Sequence, residues 1–292
     1  MRCKKCGSKA IINVRTPLCE KHFEEYFLNT VQSTIKNYRM FKKSDKILVA
    51  VSGGKDSIAL SHALYKLEYD FTGLFIDLEI EKFSIENKKV VTKFFNEINR
   101  DLHIIKVSDY EVKVKSVKGK PVCYICGIIK RYLQNRFAVE NGFNVLVTGH
   151  NLTDEASFYL MNLYSGQIQY ILKYSPVLPE DKMFVRKVKP LYKLTEKETM
   201  CYTIINNLEV SRARCPYAKE STQIKWKNLL YSIEDSLSGF SINFVSSIRK
   251  LARLVPEKES KDNLNFCKRC GYPTGLSNIC AFCKLKDYFK SQ

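Results

Sequence analysis

The sequence lacks the features that mark a membrane-bound or secreted chain. No apolar run approaches the ~20 residues a helix needs to cross a bilayer. The longest clean stretches are about the size of Ile47–Val51. The N-terminus, Met-Arg-Cys-Lys-Lys-Cys, has no apolar signal core, so a cytoplasmic protein without membrane association is expected. Internal repeats and low-complexity tracts are missing too, and a hydrophobic content of 45% with 12% aromatics excludes a disordered chain. Acidic residues are in short supply: 30 Asp and Glu face 48 Lys and Arg, for a formal net charge of +18. That deficit favours a polyanionic partner, most simply nucleic acid. The basic residues cluster at both chain ends and in segments 106–136 and 182–230. A length of 292 residues suffices for about two domain-sized units with a sizeable core.

Cysteine is abundant instead, with 11 residues. In a reducing compartment that count favours metal ligation or catalysis over disulfides. One quartet reads Cys3-x2-Cys6-x12-Cys19-x2-His22, another Cys267-x2-Cys270-x9-Cys280-x2-Cys283. Two close pairs of soft or borderline ligands match a tetrahedral structural zinc site. Modules this small cannot bury a core alone, so two Zn²⁺ ions would supply their folding energy. The expected divisions are an N-terminal zinc module (1–30), a catalytic domain (31–215), a helical region facing RNA (216–262) and a C-terminal zinc ribbon (263–292).

Between the ribbons, strands and helices alternate. Strands are expected at 46–52, 72–76, 103–107 and 144–148. Helices are expected at 58–67, 84–102, 124–141, 194–208 and 240–255. The pattern predicts an α/β fold with a parallel sheet covered by helices on both faces, and ligands then sit beyond the carboxyl ends of the strands. The first strand leads into Ser52-Gly53-Gly54-Lys55-Asp56-Ser57, and the fourth into Gly149-His150-Asn151. Paired glycines allow close backbone approach, and a helix start offers free N–H groups to an anion. The string is not a Walker loop, because Asp56 intervenes; an acid beside a phosphate nest makes sense if Mg²⁺ bridges the two.

Ser-Gly-Gly-Lys-Asp-Ser after a strand resembles the phosphate loop of the PP-loop ATP pyrophosphatases, which cleave ATP between its α and β phosphates and adenylate a substrate. The resemblance implies a Rossmann-like fold. It also implies nucleotide contacts from Ala50, Val51, Ser52, Gly53, Gly54, Lys55, Asp56 and Ser57, with Asp56 the metal-associated carboxylate. Ile76 would offer backbone groups to the adenine, and Gly149 and Asp154 match the second nucleotide segment. That segment usually carries two adjacent acids before its Glu; Thr153 replaces the first here.

Cys123-x2-Cys126 and Cys215-Pro216 remain. A lone Cys-x2-Cys is compatible with a redox dithiol, half a zinc site or cluster ligation. A zinc site would need a fourth ligand from Cys201, His62, His103 or His150. Cys201, on the stripe Leu194, Cys201, Ile205, Leu208, reads as a core thiol. Three thiolates on an iron–sulfur cubane leave one iron open to an exogenous sulfur species. Lys130 follows Cys126 by one helical turn on the same face.

Taken together, the phosphate loop, the Cys-x2-Cys with a distant third cysteine and the terminal zinc ribbons resemble the tRNA 2-thiouridine synthetases, in their two-zinc branch. The resemblance covers essentially the whole chain. It implies a tRNA sulfurtransferase that adenylates the uridine C2 oxygen with ATP and transfers sulfur through a 4Fe-4S cluster on Cys123, Cys126 and Cys215. Lys130, Asp56 and Asp154 would be active-site residues. A sulfur donor (carrier-protein thiocarboxylate, persulfide or free sulfide), tRNA and a second copy of the chain are the implied partners. The content of 24 Asn and Gln leans towards wobble position 34 over position 54. The alternatives are another PP-loop adenylating enzyme, of lysidine synthetase or amidating ligase type, and a non-catalytic zinc-ribbon protein that senses tRNA or sulfur.

Overall fold

The computed structural model describes residues 1–173, 175–181, 183–218, 221–255, 265–274 and 277–291. A short hairpin, β1 (Ile12–Asn13) and β2 (Pro17–Leu18), precedes α1 (Glu20–Asn37). The helix runs through the expected boundary at residue 30. Then follow β3 (Ile47–Val51), α2 (Lys55–Lys66), β4 (Thr72–Asp77), α3 (Glu81–Glu97), β5 (Leu102–Lys106), α4 (Val122–Glu140) and β6 (Val145–Thr148). The second half holds α5 (Leu152–Tyr164), α6 (Ile168–Lys173), β7 (Val177–Leu178), β8 (Arg186–Val188), α7 (Glu196–Ile205), α8 (Thr222–Ser236) and α9 (Phe240–Leu254). A second hairpin, β9 (Asn265–Phe266) and β10 (Pro273–Thr274), leads to α10 (Ala281–Lys290).

The central sheet has the order β5-β4-β3-β6-β8-β7, parallel throughout except for the antiparallel edge strand β7. This is the expected α/β architecture. The chain reverses its direction of travel between β3 and β6, and that switch point opens a crevice at the carboxyl edge. The loops singled out in the sequence leave from these two strands.

Strand residues alternate between two cores. Ile47, Val49, Val51, Val145 and Val147 pack towards α1, α2, α3 and α7. Leu48, Leu74, Ile76 and Leu146 pack towards α4. The N-terminal module, through Cys3, Ile12 and Leu18, joins the first core; the C-terminal ribbon, through Cys267, Phe282 and Leu285, joins the second. The two cysteine modules therefore buttress opposite faces of one sheet. Stacking of Phe282 on Tyr132, with centroids 3.8 Å apart, ties the C-terminal ribbon to α4. A third core joins α5, α8 and α9 around Tyr159, Leu230, Val245 and Ile248. Burying each such side chain contributes about 1.5–3 kcal/mol before entropy is counted.

Some boundaries differ from the sequence reading. The helix expected over 84–102 ends at Glu97, because Asn99 turns left-handed (φ 49°) and Leu102 opens β5. The helix expected over 194–208 begins only at Glu196, where the Thr195 side chain caps it. The boundary expected at 262 and 263 lies outside the described residues. Among the described residues no helix is long and apolar enough to cross a membrane.

Gly73 on β4 faces the first core, where a Cβ would run into the Phe95 ring and approach Leu102 Cδ1 to 3.0 Å. Overpacking of this kind costs about 1–3 kcal/mol. Gly73→Ala should therefore lower the free energy of urea unfolding by that amount; an unchanged midpoint would contradict the packing described.

Candidate active site

The phosphate loop is shaped by local chemistry. Gly54 is the N-cap of α2, and the Ser57 hydroxyl accepts from the Ser52 amide (3.1 Å) and donates to the Gly54 carbonyl (2.9 Å). Gly53 has φ 80°, and a Cβ there would lie 2.7 Å from Asn87 Oδ1. Two constraints thus demand glycine at 53, whereas at 54 a Cβ would meet nothing closer than 3.5 Å. The free N–H groups of the first turn of α2 face the crevice as an anion nest. Gly149 allows the exit of β6 to pass this turn: a Cβ would sit 3.1 Å from the Asp56 carbonyl carbon and the Ser57 nitrogen.

Asn151 caps α5 reciprocally with Asp154: the Asp154 amide donates to Asn151 Oδ1 and the Asn151 amide to Asp154 Oδ2, both at 3.1 Å. Asn151 Nδ2 also donates to Asp56 Oδ1 (3.0 Å), as does the Thr199 hydroxyl (2.5 Å). Lys55 Nζ bridges Asp56 Oδ2 (3.1 Å) and Glu196 Oε1 (2.5 Å). Lys227 Nζ bridges Glu196 Oε2 (2.8 Å) and Asp154 Oδ1 (2.7 Å). Tyr231 donates to Glu196 (2.8 Å). The result is a chain of alternating charge: Asp56, Lys55, Glu196, Lys227, Asp154.

The electrostatics follow from that order. Burial opposes ionisation of Glu196, yet Lys227 and Lys55 outweigh it and hold its pKa down to about 2. Burial raises the pKa of Asp56, and the negative charges of Asp154 and Glu196 add to it against the pull of Lys55 and Thr199. The carboxylates at 56 and 154 are the hard oxygen donors that a magnesium ion accepts.

Every loop residue named from the sequence, with Gly149 and Asp154, lies at this crevice. The ladder between β3 and β4 ends at Val51 and Phe75, so Ile76 lies past the end of β3, over the loop. Thr153 is buried, and its hydroxyl accepts the Glu196 amide (3.0 Å). The position that usually bears an acid thus helps start α7. Lys130 is exposed on α4. His150 keeps solvent access, yet desolvation lowers its pKa to about 4; Asp154 pulls against this, while Lys189, Lys187 and Lys130 repel its charged form. Lys130 therefore borders the same crevice.

The three central cysteines approach it from one side. Because α4 runs antiparallel to the strands, its N-terminus with Cys123 and Cys126 lies at the carboxyl edge. Its first turn has no acidic residue, which suits an anionic ligand. Cys123 Sγ lies 3.7 Å from the Tyr217 carbonyl oxygen, two residues beyond Cys215. Four residues before Cys215, the Ser211 amide donates to the Gly53 carbonyl (2.9 Å). All three thiols are half-buried, and Cys126 and Cys215 pack on the same apolar core. Cys201 is half-buried against the other core.

At the chain ends, the ligand atoms of Cys3, Cys6, Cys19 and His22 lie within 4.8 Å of one another, as do those of Cys267, Cys270, Cys280 and Cys283. Sulfur pairs at 3.7 Å (Cys6 with Cys19, Cys270 with Cys280) fit two corners of a tetrahedron with bonds of about 2.3 Å.

Glu196, Thr199 and Lys227 are absent from the sequence reading, which names Asn151 only as part of the exit from β6 and gives it no role. Thr195-x2-Glu198 is a capping box and marks the start of α7, which would have drawn Glu196 to notice. Nothing local signals Lys227, which arrives from α8, 31 residues beyond Glu196, in no motif of its own.

Residues 21–211 match the family model of the PP-loop domain. The chain belongs to the PP-loop family. Within it, the chain is similar to the tRNA-5-methyluridine(54) 2-sulfurtransferase of Pyrococcus horikoshii, 39% identical, with 97% of this chain and 93% of the relative covered. The enzyme of the same name from Thermotoga maritima is 37% identical, with 98% and 96% covered. Among solved structures, the U34-tRNA thiolase NcsA from Methanococcus maripaludis with its 4Fe-4S cluster shares the fold, with a TM-score of 0.84 at 24% identity over 99% of this chain and 96% of that one.

The Glu196 shift gives a pH prediction. A carboxyl with a depressed folded-state pKa stabilises above its unfolded value and loses that contribution as pH falls through the folded one. The stability gap between the parent and Glu196→Gln should be widest above about pH 4.5 and shrink towards about pH 2, read by urea unfolding at each pH. A gap independent of pH would remove the ion-pair assignment.

Proposed function

We propose that the chain is an ATP-dependent tRNA-uridine 2-sulfurtransferase. The observation that carries the reading is the tether between the two halves of the site: Ser211 bonds the phosphate loop, and Cys215, four residues on, is two residues before Tyr217, whose carbonyl lies 3.7 Å from Cys123 Sγ. A nucleotide site without a neighbouring thiol group would fit any adenylating enzyme.

The C2 carbonyl of uridine is a poor electrophile with a poor leaving group. Attack of its oxygen on the α-phosphorus of ATP, with pyrophosphate leaving, turns that oxygen into the leaving group AMP. The first-turn amides of α2 and Lys55 neutralise the phosphate charge that develops. Asp56 and Asp154 would hold Mg²⁺, which stabilises the same charge when bound. Lys130, one helical turn beyond Cys126 on α4, would supply a positive charge to the reacting oxygen. A sulfur nucleophile then adds at C2 and AMP departs, with no net redox change. Cys123, Cys126 and Cys215 would hold a 4Fe-4S cluster whose fourth iron, free of protein ligand, can bind sulfur. The terminal quartets would hold zinc as structural modules. The base must be unstacked to enter, which suits a tRNA loop.

Identity weighs towards position 54, against the lean drawn from amide content: the relatives named for that position are 35–39% identical over nearly the whole chain. Mass spectrometry of tRNA nucleosides after anaerobic reaction, with mapping of the thiolated residue, decides both the activity and the position. Cys215→Ala should lose most of its iron and thiolate at least a hundredfold more slowly; retention of both would refute the cluster assignment. Affinity for tRNA should fall steeply with salt, in proportion to the phosphates neutralised. A flat response would rule out the basic segments 106–136 and 182–230 as backbone contacts.

A further inference from the structure

Helix α8 lies beyond the matched residues 21–211, yet one of its faces points into the nucleotide crevice. Gln223, Lys227 and Tyr231 are spaced by four, a single stripe along the helix. Gln223 Nε2 reaches Asp154 Oδ1 (3.4 Å), Lys227 reaches Asp154 and Glu196, and Tyr231 reaches Glu196. The Lys227 side chain is only 19% exposed. Glu196 in turn fixes Lys55 of the phosphate loop. The stripe is therefore not a solvated helix face. It covers a charge network that includes three groups assigned to nucleotide binding, Lys55, Asp56 and Asp154.

We propose that Lys227 is a positioning residue for the adenylation half of the reaction, holding Asp154 and, through Glu196, Lys55 in the arrangement that receives the nucleotide. The inference rests on the nucleotide reading of the crevice but not on the thiolation step. With Lys227 in place, the network of Asp56, Lys55, Glu196, Lys227 and Asp154 carries one uncompensated negative charge. Without it there are two, next to the position a triphosphate must occupy. Glu196 would also be free to draw Lys55 away from the phosphates. Removing one partner of a buried, hydrogen-bonded ion pair costs far more than removing an exposed one. The helix begins seven residues after Cys215, so a single stretch of chain carries both the third cysteine and the nucleotide-site lysine.

Equilibrium binding of magnesium ATP by calorimetry, on full-length protein with its metals, tests this without any thiolation assay. Lys227→Met should weaken ATP binding at least tenfold, and Lys227→Arg should restore it to within about threefold of the parent. Affinity for tRNA in the same preparations should stay within about twofold, because Lys227, although within segment 182–230, is largely buried on Asp154 and Glu196 and is not among the lysines open to the tRNA backbone. Tyr231→Phe, which keeps the ring and deletes one hydrogen bond, should weaken ATP binding about threefold and serves as the decisive variant if Lys227→Met does not fold. Parental ATP affinity in Lys227→Met, or in Tyr231→Phe where that variant decides, overturns the proposal. So does an equal loss of tRNA affinity, which marks general disruption. Absence of thiolation by the parent, with ATP binding still dependent on Lys227, would sink the functional reading and leave this one standing.

Discussion

Five side chains of alternating charge, from Asp56 through Lys55, Glu196 and Lys227 to Asp154, hold four helices around one crevice. Asp56 and Lys55 open α2, Asp154 lies in the first turn of α5, Glu196 opens α7, and Lys227 comes from the middle of α8. Each carboxylate oxygen is met by a cation, a backbone amide or a neutral donor, which is the condition for keeping charge out of water at tolerable cost. Asn151 and Thr199, both neutral, hold Asp56 without adding charge. The network also explains Thr153. An acid there would add a further negative charge to a cluster already in excess; its hydroxyl instead accepts the Glu196 amide.

The sheet order makes this gathering possible. Crossovers run outward from β3 on one side and from β6 on the other, so the loops after these strands diverge and leave room between them. Gly149 brings the β6 exit against the first turn of α2, and Gly53 brings Asn87 of α3 against the loop. Side chains at either position would push apart elements that the charge network joins. The N-termini of α2, α4 and α5 all open at the same edge, so backbone dipoles and lysines make it receptive to anions.

The cysteines divide by the same geometry. Those at the chain ends occupy opposite faces of the sheet, and their ligand atoms converge tightly. The central three stand in the first turns of α4 and on the segment that follows α7, which Ser211 ties to the loop. The C-terminal ribbon acts on the site at one remove, since Phe282 stacks on Tyr132 and so fixes the helix that carries Cys123, Cys126 and Lys130.

The sequence by itself determined four of the six sheet strands, β3 to β6, together with the phosphate loop and the two ligand quartets; β7 and β8, only two and three residues long, carried no readable pattern. These signals are local: apolar runs bounded by glycine, a helix start, and ligands a few residues apart. The start of α7 was legible as a capping box, and the end of α3 was misplaced because an apolar stripe does not show where Asn99 turns left-handed. Tertiary structure alone decided that Glu196 and Lys227 belong with Asp56 and Asp154, and that Thr153 is a capping residue. These pairings span 31 to 141 residues of chain, and no periodicity encodes them. Charge complementarity acts through space, so it becomes visible only when the switch point of the sheet has set the four helices around one crevice.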